Sequence, residues 1–257
     1  MSPHPVTVRT WDVGPEEMAP GGPTSPNPAL GERSLRLLRR APEAFRSQLR
    51  ALLQAAAHGP LRIMFPFVSG PADLDEAREF LDGVQRELRR EGLPCGEAVP
   101  IGVTIEVPSA ALTADLLASR VDFFSVGTND LIQYLLAVDR TDPRVSAHYL
   151  PLHPAVLRAV RGVVAAGEAG RIPVSICGEM AAEPTTALVL VGLGVRELSM
   201  SPAAIPHVKA ALRGASAAQL KAVAEGCLGL PTAEAIEARL REELAEALAA
   251  RPVFQGE

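Results

Sequence analysis

With 257 residues, 47% of them hydrophobic, the chain can bury a substantial core as one α/β domain or two smaller ones. Its 25 basic and 30 acidic residues leave a net charge of −5 with no long basic block, which argues against nucleic acid and against an anionic membrane as the main partner. Cys95, Cys177 and Cys227 are odd in number and far apart, which fits a reduced, cytoplasmic setting; no apolar run reaches membrane-spanning length, and the N-terminus lacks an apolar signal core.

Residues 6–11 read as a short strand ending in Asp12-Val13-Gly14. Residues 14–28 hold five prolines and three glycines, a composition that breaks helix and strand alike, so a loop is expected there. Residues 30–38 and 42–57 are predicted helical, the second with Phe45, Leu49, Leu52 and Leu53 on one side. A strand over 61–66 and a charged amphipathic helix over 73–91, ending at Gly92, come next. The third strand, 101–105, is closed by Glu106-Val107-Pro108 and followed by a helix over 110–119.

The run from Val121 to Tyr134 is apolar, then small, then acidic, then apolar at helical spacing. This is the pattern of a strand buried on both faces that hands over to a helix. Gly127 permits a tight turn, Thr128 or Asn129 is expected to cap the helix, and Asp130 falls in its first turn. A polar loop covers 139–143, a helix 153–170, and a fifth strand 173–176 that ends in Cys177-Gly178-Glu179. A helix over 185–191, a sixth strand over 196–200 and a helix over 203–212 complete the alternation. Two further helices, 216–227 and 232–250, close the chain.

Strand and helix alternate six times, which implies parallel strands joined by right-handed crossovers. Six is two short of a closed eight-stranded barrel. That leaves an open doubly wound sheet, or a barrel whose first two units lie outside this chain.

Polar residues gather just after the strands. Glu106 and Asp130 are expected on neighbouring strand ends, where two carboxylates suit Mg²⁺, a hard cation that takes one or two protein carboxylates and keeps several waters. A general acid/base pair is the competing chemistry. Arg9, Arg33 and Arg140 lie at strand ends or in loops, on what should be the same side, and guanidinium groups grip phosphate and carboxylate in a bidentate way. Cys177 reads as a proton donor, as an attacking thiolate if a neighbour lowers its pKa, or as a small buried hydrophobe. His148 and His153 read as structural or surface residues, and no histidine sits in a phosphocarrier setting.

Four stretches together resemble one family: Arg9-Thr10-Trp11-Asp12; Leu61-Arg62-Ile63-Met64-Phe65-Pro66; Val121 to Tyr134 with Ala137-Val138-Asp139-Arg140; and Ile176-Cys177-Gly178-Glu179-Met180. They look like the C-terminal, phosphoenolpyruvate-binding barrel of Enzyme I of the bacterial sugar phosphotransferase system. The resemblance implies a TIM-type (β/α) barrel with about six of its eight strands in this chain, over residues 1–213, and a C-terminal helical extension over 214–257. It implies that Glu106 and Asp130 hold Mg²⁺, that Arg9, Arg33, Asn129, Asp130 and Arg140 bind phosphoenolpyruvate, and that Cys177 protonates the enolate to give pyruvate. The phosphoryl group would pass to a histidine on a separate domain and then to the carrier HPr, in a cytoplasmic homodimer. The family's glycine-rich loop reads Gly14-Pro15-Glu16-Glu17 here, with an acid in place of a lysine, and Glu32 stands where an aromatic is usual. With the N-terminal domains outside this chain, full phosphotransferase activity is not expected of it alone. A Mg²⁺-dependent aldolase or lyase acting on pyruvate-like acids, and a non-catalytic binding or dimerisation module, are the alternatives.

Overall fold

The computed structural model describes residues 3–14, 26–37 and 40–250. The predicted loop over 14–28 falls largely outside these residues, as do Pro15, Glu16 and Glu17. Two compact units divide the chain: Met1–Thr104 with Ser119–Phe123, and Ile105–Ala118 with Phe124–Glu257.

In the first unit, β1 (Val6–Arg9), β2 (Leu61–Phe65) and β3 (Ile101–Ile105, its last residue in the second unit) run parallel, with Val8 opposite Ile63 and Ile63 opposite Ile101. Helix α1 (Pro42–Ala56) turns Phe45, Leu49 and Leu53 inward, and α2 (Pro71–Arg90) does the same with Leu74, Ala77, Leu81, Val84 and Leu88. Those spacings of three and four place one apolar stripe along each helix. Arg46 pairs with Glu87, and Arg50 with Glu91, along the solvent side of the two helices. Gly102 lies under the Phe123 ring, where a side chain would strike the aromatic carbons.

Within the described residues, the predicted helix over 30–38 is instead two 3₁₀ turns, Pro28–Leu30 and Ser34–Leu37; Leu38 lies outside the described residues. Gly31 is extended between them, and Ser34 adopts φ 54°, outside the right-handed helical region, while its hydroxyl donates to the Pro66 carbonyl at 2.9 Å. A long-range hydrogen bond therefore overrides the local apolar pattern.

In the second unit, β4 (Phe123–Gly127, its first residue in the first unit), β5 (Val174–Cys177) and β6 (Glu197–Ser199) are parallel; Gly127 is opposite Cys177, and Cys177 opposite Ser199. All five residues of β4 are buried, as a strand covered on both faces requires. The predicted helix over 110–119 is two short helices, α3 (Pro108–Leu112) and α4 (Ala114–Ala118). Thr113 separates them, its hydroxyl donating back to the Ser109 carbonyl at 2.8 Å. Then follow α5 (Thr128–Leu136), α6 (Pro154–Gly170), α7 (Glu179–Ala182), α8 (Pro184–Gly192) and α9 (Ile205–Arg213). His153 caps α6 by accepting from the Ala155 amide through Nδ1, which makes it structural, as the sequence suggested.

Helices α10 (Ala217–Cys227), α11 (Ala233–Glu243) and α12 (Ala245–Ala249) follow; the single predicted helix over 232–250 breaks at Leu244. Helix α10 packs on α8 so closely that a Cβ on Gly192 would meet the Leu220 carbonyl.

Strand order follows chain order from β1 to β6. A doubly wound sheet reverses its order at a switch point, and this sequence of strands does not. Among the described residues no helix is long and apolar enough to cross a membrane, and none of the three cysteines forms a disulfide.

Candidate active site at the strand ends

Glu106 is the first residue after β3, and Asp130 lies in the first turn of α5, which starts directly from the end of β4. Both carboxylates are buried, at 3% and 5% exposure, and their oxygens lie within 4.8 Å of one another. Two anions held that close out of water repel strongly and call for positive charge. The pair fits a hard divalent cation such as Mg²⁺, which would take these carboxylates and fill its remaining positions with water and ligand oxygens.

Arg140 brings its guanidinium to Asp130, Nη1 lying 3.1 Å from Oδ1. The chain reaches this point because Ala137, in the left-handed conformation at φ 52°, ends α5 and turns back, and the Gln133 side chain then accepts from the Arg140 amide at 3.1 Å.

Thr128 and Asn129 do not cap α5: Gly127 is its N-cap residue, with no side-chain cap. Their side chains reach across to β5 and α7. The Thr128 hydroxyl donates to the Cys177 carbonyl at 3.1 Å, and Asn129 Oδ1 accepts from the Glu179 amide at 3.0 Å. Gly178 makes this possible: at φ 114° it is in a region that glycine alone enters easily, and a Cβ there would strike Thr128 Oγ1 and come within 2.8 Å of Asn129 Oδ1. Cys177 is half-buried, and its Sγ accepts from the Ser125 hydroxyl at 3.2 Å.

Tyr149, which the sequence reading passed over, donates its hydroxyl to the Asn129 carbonyl at 3.3 Å. Burial pushes its phenol up to about 12, against the opposing pull of the Arg140 charge. An aromatic in the proline-containing loop before α6 was the only signal for it.

Arg9 and Arg33 belong to the first unit, where both engage Asp12. Arg33 does so with two hydrogen bonds, Nε to Oδ1 at 3.0 Å and Nη2 to Oδ2 at 2.7 Å, and Arg9 Nη1 is 3.4 Å from Oδ2. The Phe67 ring lies 4.8 Å from the Arg33 guanidinium, a cation–π contact. Asp12 organises both arginines, a role that its position three residues after Arg9 hinted at. The structure thus brings Glu106, Asn129, Asp130, Arg140 and Cys177 to the strand ends of the second unit.

The family model described as the PEP-binding domain of PEP-utilising enzymes matches residues 1–217. The chain belongs to that family. Among curated proteins it is 41% identical to the phosphoenolpyruvate-protein phosphotransferase of Staphylococcus carnosus, over 90% of this chain and 41% of that protein. It is 45% identical to a multiphosphoryl transfer protein of Rhodobacter capsulatus, over 89% of this chain and 27% of that one. The chain therefore spans less than half the length of these relatives. Among solved structures, a citrate lyase from Burkholderia xenovorans LB400 matches 83% of this chain and 72% of its own, with a TM-score of 0.50 at 21% identity. That likeness concerns the fold alone: an α/β chain of the TIM-barrel type, here with six parallel strands and helices continuing beyond the sixth strand–helix unit.

Proposed function

We propose that this chain is the phosphoenolpyruvate- and Mg²⁺-binding barrel of a phosphoenolpyruvate-protein phosphotransferase, a transferase working with a phosphohistidine domain and an HPr-like carrier. The observation that carries the reading is the buried Glu106–Asp130 pair with Arg140 on Asp130. Glu106 and Asp130 would hold the ion, whose chemistry is to neutralise phosphate and enolate oxygens. Arg140 supplies a fixed positive charge for a ligand phosphate or carboxylate. With its oxygen engaged by Glu179, Asn129 offers its amide nitrogen to an anion. Arg9 and Arg33, organised by Asp12 in the first unit, are proposed as further anion-binding groups.

Cys177 supplies the proton. Loss of the phosphoryl group to an acceptor histidine leaves the enolate of pyruvate; transfer of the thiol proton to its methylene carbon gives pyruvate, and the thiolate regains a proton from water. We propose residues 1–213 as the barrel, residues 214–257 as an extension packed on it, and a cytoplasmic homodimer as the working form.

Incubating the chain with a separately supplied phosphohistidine domain, Mg²⁺ and phosphoenolpyruvate labelled in its phosphoryl group tests this. Label on the acceptor histidine, lost in Glu106→Gln, is expected. Absence of label together with pyruvate release from a hydroxy-oxo acid would replace the phosphotransferase with a lyase.

A further inference from the structure

A thiol that gives its proton to carbon leaves a thiolate behind, so a hydrogen-bond donor already aimed at that sulfur favours the transfer. Cys177 ends β5, opposite Gly127 of β4, and Ser125 lies two residues before Gly127, opposite Ser175. Side chains two residues apart on a strand share a face, so this register sets Ser125 and Cys177 on the same face of neighbouring strands. The Ser125 hydroxyl donates to Cys177 Sγ at 3.2 Å, and the thiol donates to the Val126 carbonyl at 3.5 Å. Ser175, opposite Ser125, gives its hydroxyl to the Phe124 carbonyl at 3.1 Å instead. The Cys177 main chain is fixed separately, its carbonyl accepting from Thr128 at 3.1 Å. Ser125 is 5% exposed, so removing its hydroxyl leaves little room for water to replace it.

We propose that Ser125 is a positioning residue for Cys177, holding the sulfur through its hydroxyl and stabilising the thiolate left when the proton goes to carbon. The inference deepens the phosphoenolpyruvate reading and rests on it for the role of Cys177, but the contact of Ser125 with the sulfur is a property of the unliganded chain. In the step, the S–H bond breaks and a C–H bond forms at the enolate methylene. The electron pair of the broken bond stays on sulfur, where the serine O–H donates to it, and water returns the proton. Run backwards, the thiolate takes a proton from the methyl group of pyruvate. The chain with Mg²⁺ and pyruvate in heavy water should therefore exchange those methyl protons for deuterium, with no phosphohistidine domain present.

The experiment combines two measurements on wild type, Ser125→Ala, Ser125→Thr and Cys177→Ala. The first is that deuterium exchange, followed by proton NMR. The second is the rate at which iodoacetamide alkylates Cys177 in the free protein, read by peptide mass spectrometry so that Cys95 and Cys227 do not interfere. Ser125→Ala should lower the exchange rate at saturating pyruvate about tenfold, the weight of a hydrogen bond to a charged group. The half-saturating pyruvate concentration and the melting temperature should change little. Alkylation should slow about threefold, because a smaller thiolate fraction is partly offset by a more nucleophilic sulfur. Ser125→Thr, which keeps the hydroxyl, should restore both rates. Equal alkylation of wild type and Ser125→Ala, or no alkylation of either, overturns the proposal, as does a threonine variant as slow as the alanine one. If wild type exchanges no deuterium, or Cys177→Ala exchanges as fast as wild type, the proton-donor reading fails and alkylation alone decides the role of Ser125.

Discussion

Asp130 and Arg140 meet at 3.1 Å although helix α5 and a reversal of the chain lie between them. The pair joins a buried carboxylate to a guanidinium that stays 36% exposed, so the guanidinium remains reachable by a ligand. Arg140→Ala takes this cation from a buried acid and should cost about 1–3 kcal/mol of stability. Arg140→Ala on an Asp130→Asn background should cost less, because the remaining side chain carries no charge. Equal losses in the two backgrounds, read from denaturant midpoints, would argue that the ion pair is not the cause.

Gly178 holds the junction of β5 and α7 in a shape that other residues resist. Gly178→Ala combines a positive φ with a collision at Thr128 and Asn129, and should cost about 2 kcal/mol or more. Gly59→Ala, with nothing within 4 Å of its Cβ, is the matching control and should be near neutral. Thermal melts of the two variants compare them directly.

Glu106→Gln removes one of two buried like charges. Without divalent cations it should raise the melting temperature, because the repulsion inside the site is relieved. With Mg²⁺ the order should reverse: wild type gains stability on adding the ion and the variant does not. A wild-type melt indifferent to Mg²⁺ would count against the metal assignment.

Tyr149 gives a test at alkaline pH. Its phenol is raised from 10.0 to about 12 by burial, so the folded chain keeps a proton that the unfolded chain gives up. The corresponding stability is complete below pH 10 and is lost as the pH climbs to about 12. The chain has two tyrosines, so Tyr134→Phe leaves Tyr149 as the sole phenolate signal. Its ultraviolet titration in the folded state should centre near 12; a midpoint near 10 would contradict the burial.

How much of this was legible in the sequence differs from element to element. The bounds of β3 were readable because Ile101–Ile105 is an unbroken β-rich run, and the β4–α5 junction because apolar, small and acidic residues succeed one another there. The strand-end positions of Glu106 and Asp130 follow from those two elements. What was missed depends on partners distant in sequence. Ser34 leaves the helical region to reach Pro66, and Thr128 and Asn129 turn from capping to bond Cys177 and Glu179. Asp12 and Tyr149 act on partners some twenty residues away, at Arg33 and Asn129, and no local spacing announces such contacts.

Glu106, Asp130 and Arg140 are proposed to make a metal-dependent site for an enol phosphate. Calorimetric titration of the chain with phosphoenolpyruvate, with and without Mg²⁺, measures it most directly. Binding should require Mg²⁺, disappear in Glu106→Gln, and weaken by about tenfold or more in Arg140→Ala, the weight of a charge-assisted hydrogen bond. Binding of equal strength without the ion, or no heat under either condition, would contradict it.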